Sequence, residues 1–211
     1  MDEKEIKRKL ETGTTTVGIV CKDAVVLGTE KKATMGYLVA SKEVEKIFQL
    51  DDHIAMTVAG VVGDAQALKR YITAELKIYE LNEGRKIPVK AAGTLIANIL
   101  YSRRFYPYIV QLLVGGYDTK PQLFSLAPDG SIIEEKKYFS TGSGSPMALG
   151  VLEDKFRENM DVEEAKKLVV RAIKSAIERD IASGGKGIDV AVIDKNGFRM
   201  LKEDEIKKLM E

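Results

Sequence analysis

Between residues 14 and 60, apolar and β-branched side chains come in short, dense runs: TTTVGIVC and AVVLGTE, joined at Lys22-Asp23, then IFQL and HIAMTVAG. That composition, bounded by charged turns, predicts a hairpin starting at Thr14 and further strands after it. From residue 65 the period lengthens. Ala65, Leu68, Ile72, Leu76 and Tyr79 fall at steps of three and four, which lays one apolar stripe along a helix. PVKAAGTLIANILY predicts a second helix, opened by a proline suited to a first turn, and the pair ends near Tyr106-Pro107.

IVQLLVGGYD, QLFSLAP, a turn at Pro128-Asp129-Gly130 and SIIEEKKYF then predict an antiparallel meander. A short helix follows Ser145-Pro146. Asp161 and Glu164 form a capping-box-like start to a longer one, striped by Val162, Ala165, Leu168, Val169, Ala172, Ile173, Ala176 and Ile177. IDVAVID and FRML, turned at Lys195-Asn196-Gly197, predict a last hairpin before a short charged helix. Strands in blocks and helices in pairs imply an α+β fold of antiparallel sheets covered by helix layers, not a βαβ winding.

At 211 residues one domain with a sizeable core is expected. The opening MDEKEIKRKLETG stands apart: it is dense in alternating acids and bases and lacks the apolar core of a secretory signal. No stretch approaches the roughly 20 apolar residues of a membrane span. With 33 basic side chains against 32 acidic ones, no charge excess draws the chain to nucleic acid or to a membrane surface. A soluble, cytoplasmic protein is expected. Cys21 is the single cysteine and His53 the single histidine, so neither an internal disulfide nor a cysteine and histidine metal site is expected, and no cofactor is implied.

The usual nucleophiles are missing. His53 sits where DDHIAMTVAG reads as a strand start, no serine lies in a G-x-S-x-G elbow, and Cys21 stands in an apolar strand. TGSGSP at 141–146 and SGGKG at 183–187 match neither phosphate-binding pattern and read as close-packed turns. Gly13-Thr14 remains. Cut there, the chain would carry a hydroxyl and a free α-amine on one residue, a nucleophile with its own base. An α-amine titrates near 7.7–8.0, against about 10.4 for a lysine, so it is the better proton acceptor at neutral pH. Thr-Thr-Thr is also ordinary edge-strand composition, and the leader also reads as a frayed terminus.

TTTVGI, KDAVVLGTE, Lys46, AGVVGDAQ, LLVGGYD, STGSGSP and RDIASGG follow one another from Thr14 to about Asp194. Together they resemble the β-subunit family of archaeal-type 20S proteasomes, N-terminal nucleophile hydrolases. The resemblance implies a four-layer αββα sandwich, a propeptide at 1–13 removed by self-cleavage between Gly13 and Thr14, and a catalytic domain at 14–211. It implies Thr14 as nucleophile, Glu30 and Lys46 as its acidic and lysine partners, and Ser143, Asp180 and Ser183 as the polar group orienting it. The Gly60 N–H becomes the oxyanion donor and Ala33, Val44 and Val58 the walls of an apolar specificity pocket, with cleavage after hydrophobic residues. Glu30 stands where many members carry aspartate, so a longer side chain has to reach Lys46.

The implied partners are α subunits, two seven-membered β rings, a regulatory ATPase unfoldase and polypeptide substrates. A non-catalytic ring subunit and a bacterial-type HslV-like peptidase are the alternatives; the first would lack the Thr14, Lys46 and Asp180 set. From the residues alone, Glu30, Lys46 and Asp180 also suit a surface ion-pair network.

Overall fold

The computed structural model describes residues 13–210. Twelve strands and five helices are assigned among them. Strands β1 (Thr16–Val20), β2 (Ala24–Glu30), β10 (Tyr138–Thr141), β11 (Ile188–Asp194) and β12 (Gly197–Met200) form one sheet in the order β10-β1-β2-β11-β12. Strands β5 (Ile47–Asp51), β6 (Ile54–Gly60), β7 (Val110–Tyr117), β8 (Pro121–Leu126) and β9 (Ile132–Glu135) form the second, in sequence order. All pairings are antiparallel. A small ladder of β3 (Ala33–Met35) and β4 (Leu38–Ser41) stands apart.

Three apolar clusters define the layers. Helices α1 (Val62–Glu83) and α2 (Val89–Ser102) send Leu68, Ile72, Ile96 and Leu100 onto Met56, Leu112 and Val114 of the second sheet. Helices α3 (Ser145–Lys155), α4 (Val162–Ile177) and α5 (Glu203–Met210) pack Leu152, Val169, Ile173 and Ile206 against Val17, Val26 and Val190 of the first. Between the sheets lie Val25, Leu27, Ala55, Leu113, Leu123 and Ala191. The result is the expected αββα sandwich.

Because both faces of each sheet are covered, β2 is buried along its whole length, with Val26 facing the helices and Val25 and Leu27 facing the other sheet. That is why its sequence is a continuous apolar run instead of an alternation. Gly28 sits under α4, where a Cβ would come within 2.2 Å of Val169 Cγ1, so the helix rests directly on the strand backbone. The Asp161 carboxylate accepts from the Glu164 N–H at 2.8 Å and caps α4 as its spacing predicts.

Several local expectations change. Pro88 occupies the cap position before α2 and not its first turn. SIIEEKKYF is two strands: β9 closes the meander with β8, and β10 crosses after Lys136-Lys137 to pair with β1 in the other sheet. A single apolar run cannot reveal which sheet each half joins. Ladder β3–β4 escapes notice because its strands are three and four residues long. Cys21 lies just past β1, and His53 lies in the β5–β6 turn with Nε2 2.8 Å from the Ile87 carbonyl. The ladder of β1 starts at Thr16, which leaves Thr14 and Thr15 in front of it. The leader lies outside the described residues except for Gly13. Among those described, no helix is long and apolar enough to cross a membrane.

Candidate active site

Thr14 is held from two sides. On one side Lys46, immediately before β5, donates to Thr14 Oγ1 at 3.0 Å, to the Lys32 carbonyl at 2.6 Å and to Glu30 Oε1. Three donations use all three N–H bonds of an ammonium. Glu30, the last residue of β2, faces donors only: Lys46 and, at 3.4 Å, the Thr15 N–H on Oε1, with the Lys32 N–H at 2.6 Å and the Gly184 N–H at 2.9 Å on Oε2. Three backbone N–H groups on the carboxyl oxygens and three oxygen acceptors around Nζ are best matched by a carboxylate and an ammonium.

The side chains of Glu30 and Lys46 are 0% and 7% exposed, so water cannot replace either partner. Burial pushes the Glu30 carboxyl up from its ordinary value, opposed by the charge of Lys46 and by the backbone donors. Burial pushes the Lys46 ammonium down, opposed by Glu30. The longer glutamate side chain therefore reaches the lysine, because β2 ends level with Thr15 and the carboxylate folds back beneath it.

On the other side the Thr14 N–H donates to Ser143 Oγ at 3.2 Å. Ser143 and Ser183 each donate to Asp180 Oδ2 at 2.6 Å, and the Ala182 N–H meets Oδ1 at 3.2 Å. These residues come from two loops: β10 to α3 carries Ser143, and α4 to β11 carries Asp180 and Ser183. Gly142 has φ +93, and a Cβ there would lie 2.1 Å from the Thr14 carbonyl oxygen, so only glycine lets this loop close on the chain. The Gly144 N–H donates to that oxygen at 3.3 Å. Both glycine loops are close-packed turns, and both pack onto Thr14 or its partners.

Thr14 Oγ1 donates to the Gly13 carbonyl oxygen at 2.6 Å, which puts the hydroxyl against the peptide bond that precedes it. Its other neighbour, Lys46, has no lone pair while charged, so it cannot take the hydroxyl proton. No group of three or more metal-ligating His, Cys, Asp or Glu side chains occurs among the described residues.

A cavity of about 270 Å³ opens beside Thr14, lined by Val44, Phe48, Val58, Gly60, Val62, Ala65 and Gln66, with Glu43, Glu45 and Lys46. Val44 and Val58 are among the walls, as is Gly60, whereas Ala33 is buried in β3 and is not. Nor are the walls wholly uncharged: Glu43 and Glu45 line the cavity, and Glu43 pairs with Lys186 at 3.0 Å. Sequence reasoning missed Phe48, Val62, Ala65 and Gln66. Val62 stands one turn before Ala65 and Gln66 at the start of α1, a spacing that reads as helix core unless the sheet edge below is known. It also missed Thr15 and Thr34. Thr34 Oγ1 accepts from the Gly13 N–H at 3.3 Å, and no motif marks it.

The comparisons agree with this architecture. A family model described as proteasome subunit matches residues 10–193. Among curated relatives, "Proteasome subunit beta" of Methanocaldococcus vulcanius is 52% identical over 200 residues, covering 94% of this chain and 89% of the relative. Its counterpart in Methanothermobacter thermautotrophicus is 52% identical over 200 residues, covering 94% and 95%. That of Archaeoglobus profundus is 52% identical over 207 residues, covering 98% and 96%.

Proposed function

The chain belongs to the proteasome-subunit family, and on that premise we propose that Thr14, freed at its amine, is the nucleophile of a β-type threonine endopeptidase. The observation that carries this reading is the position of Thr14 Oγ1, 3.0 Å from Lys46 Nζ and 2.6 Å from the Gly13 carbonyl oxygen. With Gly13 attached, the nitrogen of Thr14 is an amide and can accept no proton. Maturation is therefore the first reaction. Thr14 Oγ attacks the Gly13 carbonyl carbon, the C–N bond breaks, and the hydroxyl proton passes to nitrogen. Water then hydrolyses the ester, releasing residues 1–13 as a carboxylate and restoring the hydroxyl. Glycine before this bond puts no side chain in the path of attack.

In the mature chain the α-amine takes the Oγ proton as Thr14 attacks a substrate carbonyl, and returns it to the leaving amine. Lys46, kept charged by Glu30, repels a second ammonium and so favours the unprotonated amine. Ser143, Asp180 and Ser183 aim that amine, and the Gly60 N–H faces the developing oxyanion. The methyl group of threonine restricts χ1 and holds Oγ in place.

The apolar walls Val44, Phe48, Val58, Val62 and Ala65 support cleavage after hydrophobic residues, with Glu43, Glu45 and Gln66 at the polar part of the cavity. As a proteasome β-type chain it assembles with α subunits into the core particle. Two seven-membered β rings, a regulatory ATPase that feeds unfolded polypeptide, and a cytoplasmic location complete the reading.

The test is the intact mass of the chain after co-assembly with its α subunit, alongside peptidase activity. Wild type loses residues 1–13 and cleaves peptides, while Thr14→Ala keeps them and is inactive. Loss of the leader in both, or peptide cleavage by particles that retain it, overturns the reading.

A further inference from the structure

We propose that Thr15, through its hydroxyl, is a positioning residue for Thr14 that ties the Asp180 group to the Glu30 group. This rests on the reading of Thr14 as nucleophile. Thr15 is fully buried, and its Oγ1 lies 2.6 Å from Ser183 Oγ, itself only 2% exposed.

The direction of that bond follows from counting hydrogens. Ser183 has one hydroxyl hydrogen and gives it to Asp180 at 2.6 Å, so in the Thr15 contact serine accepts and threonine donates. Ser143 faces the same choice. Its hydrogen goes to the carboxylate at 2.6 Å and not to the Thr14 carbonyl at 3.4 Å, so it accepts from the Thr14 N–H. Two hydroxyl relays therefore converge on Asp180 Oδ2, one starting at the nitrogen of Thr14 and the other at the side chain of Thr15. The backbone of Thr15 completes the link. Its carbonyl accepts from the Glu30 N–H at 3.3 Å, and its N–H points at Glu30 Oε1 at 3.4 Å.

Strand propensity does not account for this hydroxyl, because Thr15 precedes β1, whose ladder starts at Thr16. The loop above has been shaped around it. A Cβ on Gly144 would lie 2.0 Å from Thr15 Oγ1 and 3.2 Å from Ser183 Oγ, so the backbone closes over the bond. Without the hydroxyl, Ser183 keeps an unfilled acceptor in a buried place, and a carboxylate aimed from two sides is aimed from one. The cavity walls do not include Thr15, so substrate binding is untouched.

The test compares Thr15→Val, which keeps the shape and removes the donor, with Thr15→Ser, which keeps the donor, both as full chains assembled with the α subunit. Displacing a catalytic group by a fraction of its length costs up to about 100-fold in rate. Thr15→Val is accordingly expected to lower kcat about 10- to 100-fold with KM within about twofold, and Thr15→Ser to stay within about threefold of wild type. Combined with Ser183→Ala, Thr15→Val adds nothing further, because both act through one bond. A Thr15→Val enzyme with wild-type kcat, a Thr15→Ser enzyme as slow as Thr15→Val, or additive effects in the double variant would each overturn the proposal. If Thr15→Val does not assemble, Thr15→Ala takes its place. A slow alanine with an active serine supports the role, and equal rates refute it. Failure of the Thr14 reading shows separately, as wild-type turnover that survives Thr14→Ala.

Discussion

The two groups that flank Thr14 hold it by different physics. Glu30 and Lys46 form an ion pair sealed under the end of β2, with 0% and 7% of their side chains exposed and every polar atom committed. Ser143, Asp180 and Ser183 are presented by two loops. Of these Ser143 is exposed, Asp180 is half-buried and only Ser183 is enclosed. Water can stand in for a missing partner at exposed Ser143 and cannot at the sealed ion pair. Damage to the ion pair should therefore cost stability as well as rate, whereas damage at Ser143 should cost rate almost alone.

The largest expected effect sharpens that contrast. Lys46→Ala leaves Glu30 as a buried carboxylate without a counter-charge, a change that costs about 3–5 kcal/mol in comparable pairs. Both the denaturation midpoint and peptidase activity should collapse. A variant of unchanged stability would mean that water reaches Glu30. Removing both charges separates the two losses: Lys46→Met with Glu30→Gln leaves no uncompensated buried charge and is expected to regain part of that stability, less than all because the amide group at position 30 meets backbone donors. It should regain no activity, and recovered turnover would take Lys46 out of the mechanism.

Ser143→Ala comes next. Two hydrogen bonds are lost, one from the Thr14 N–H and one to Asp180, but the position is exposed and water replaces them, so stability should change by about 1 kcal/mol or less. The rate is expected to fall about tenfold, because the aim of the Thr14 amine is loosened. An equal loss of stability in Ser143→Ala and Lys46→Ala would break the comparison.

The smallest effect is on the pH profile. In the proposed mechanism activity needs the Thr14 amine unprotonated as well as Glu30 charged, so the acid side holds two steps, and burial raises the one that belongs to Glu30 above the ordinary 4.5. Activity also needs Lys46 charged, and burial lowers its pKa, so the alkaline limb lies below 10.5. The window thus narrows from both sides. Glu30→Gln, measured over the same pH range, should remove the acid limb that belongs to the carboxylate. A limb unmoved by that substitution belongs to another group.

Much of this architecture is legible in the chain. The stripe through Ala65, Leu68, Ile72 and Leu76, the cap at Asp161, and the glycine turns at 130 and 197 are local signals, and each element forms where its signal lies. Thr14, Glu30, Lys46, Ser143, Asp180 and Ser183 could be named from matched segments, and the fold brings all six together. Ala33 was named in the same way but does not line the cavity, while Phe48 and Gln66 do. Which side of a strand or helix reaches a cavity depends on the neighbour it meets.

By itself the sequence determined which residues could carry chemistry. A chain with one histidine and one cysteine, and a glycine-threonine junction before its first strand, leaves few nucleophiles to choose from. It also determined the order of strands and helices, because side-chain periodicity and turn chemistry act over a few residues. Only the tertiary structure decided that β10 leaves the meander for the other sheet, that Glu30 meets four donors, and that Thr15 shares its hydrogen with a serine 168 positions away. Those facts depend on the closing of two sheets and two loops upon each other, and contacts between residues distant along the chain leave no period in it.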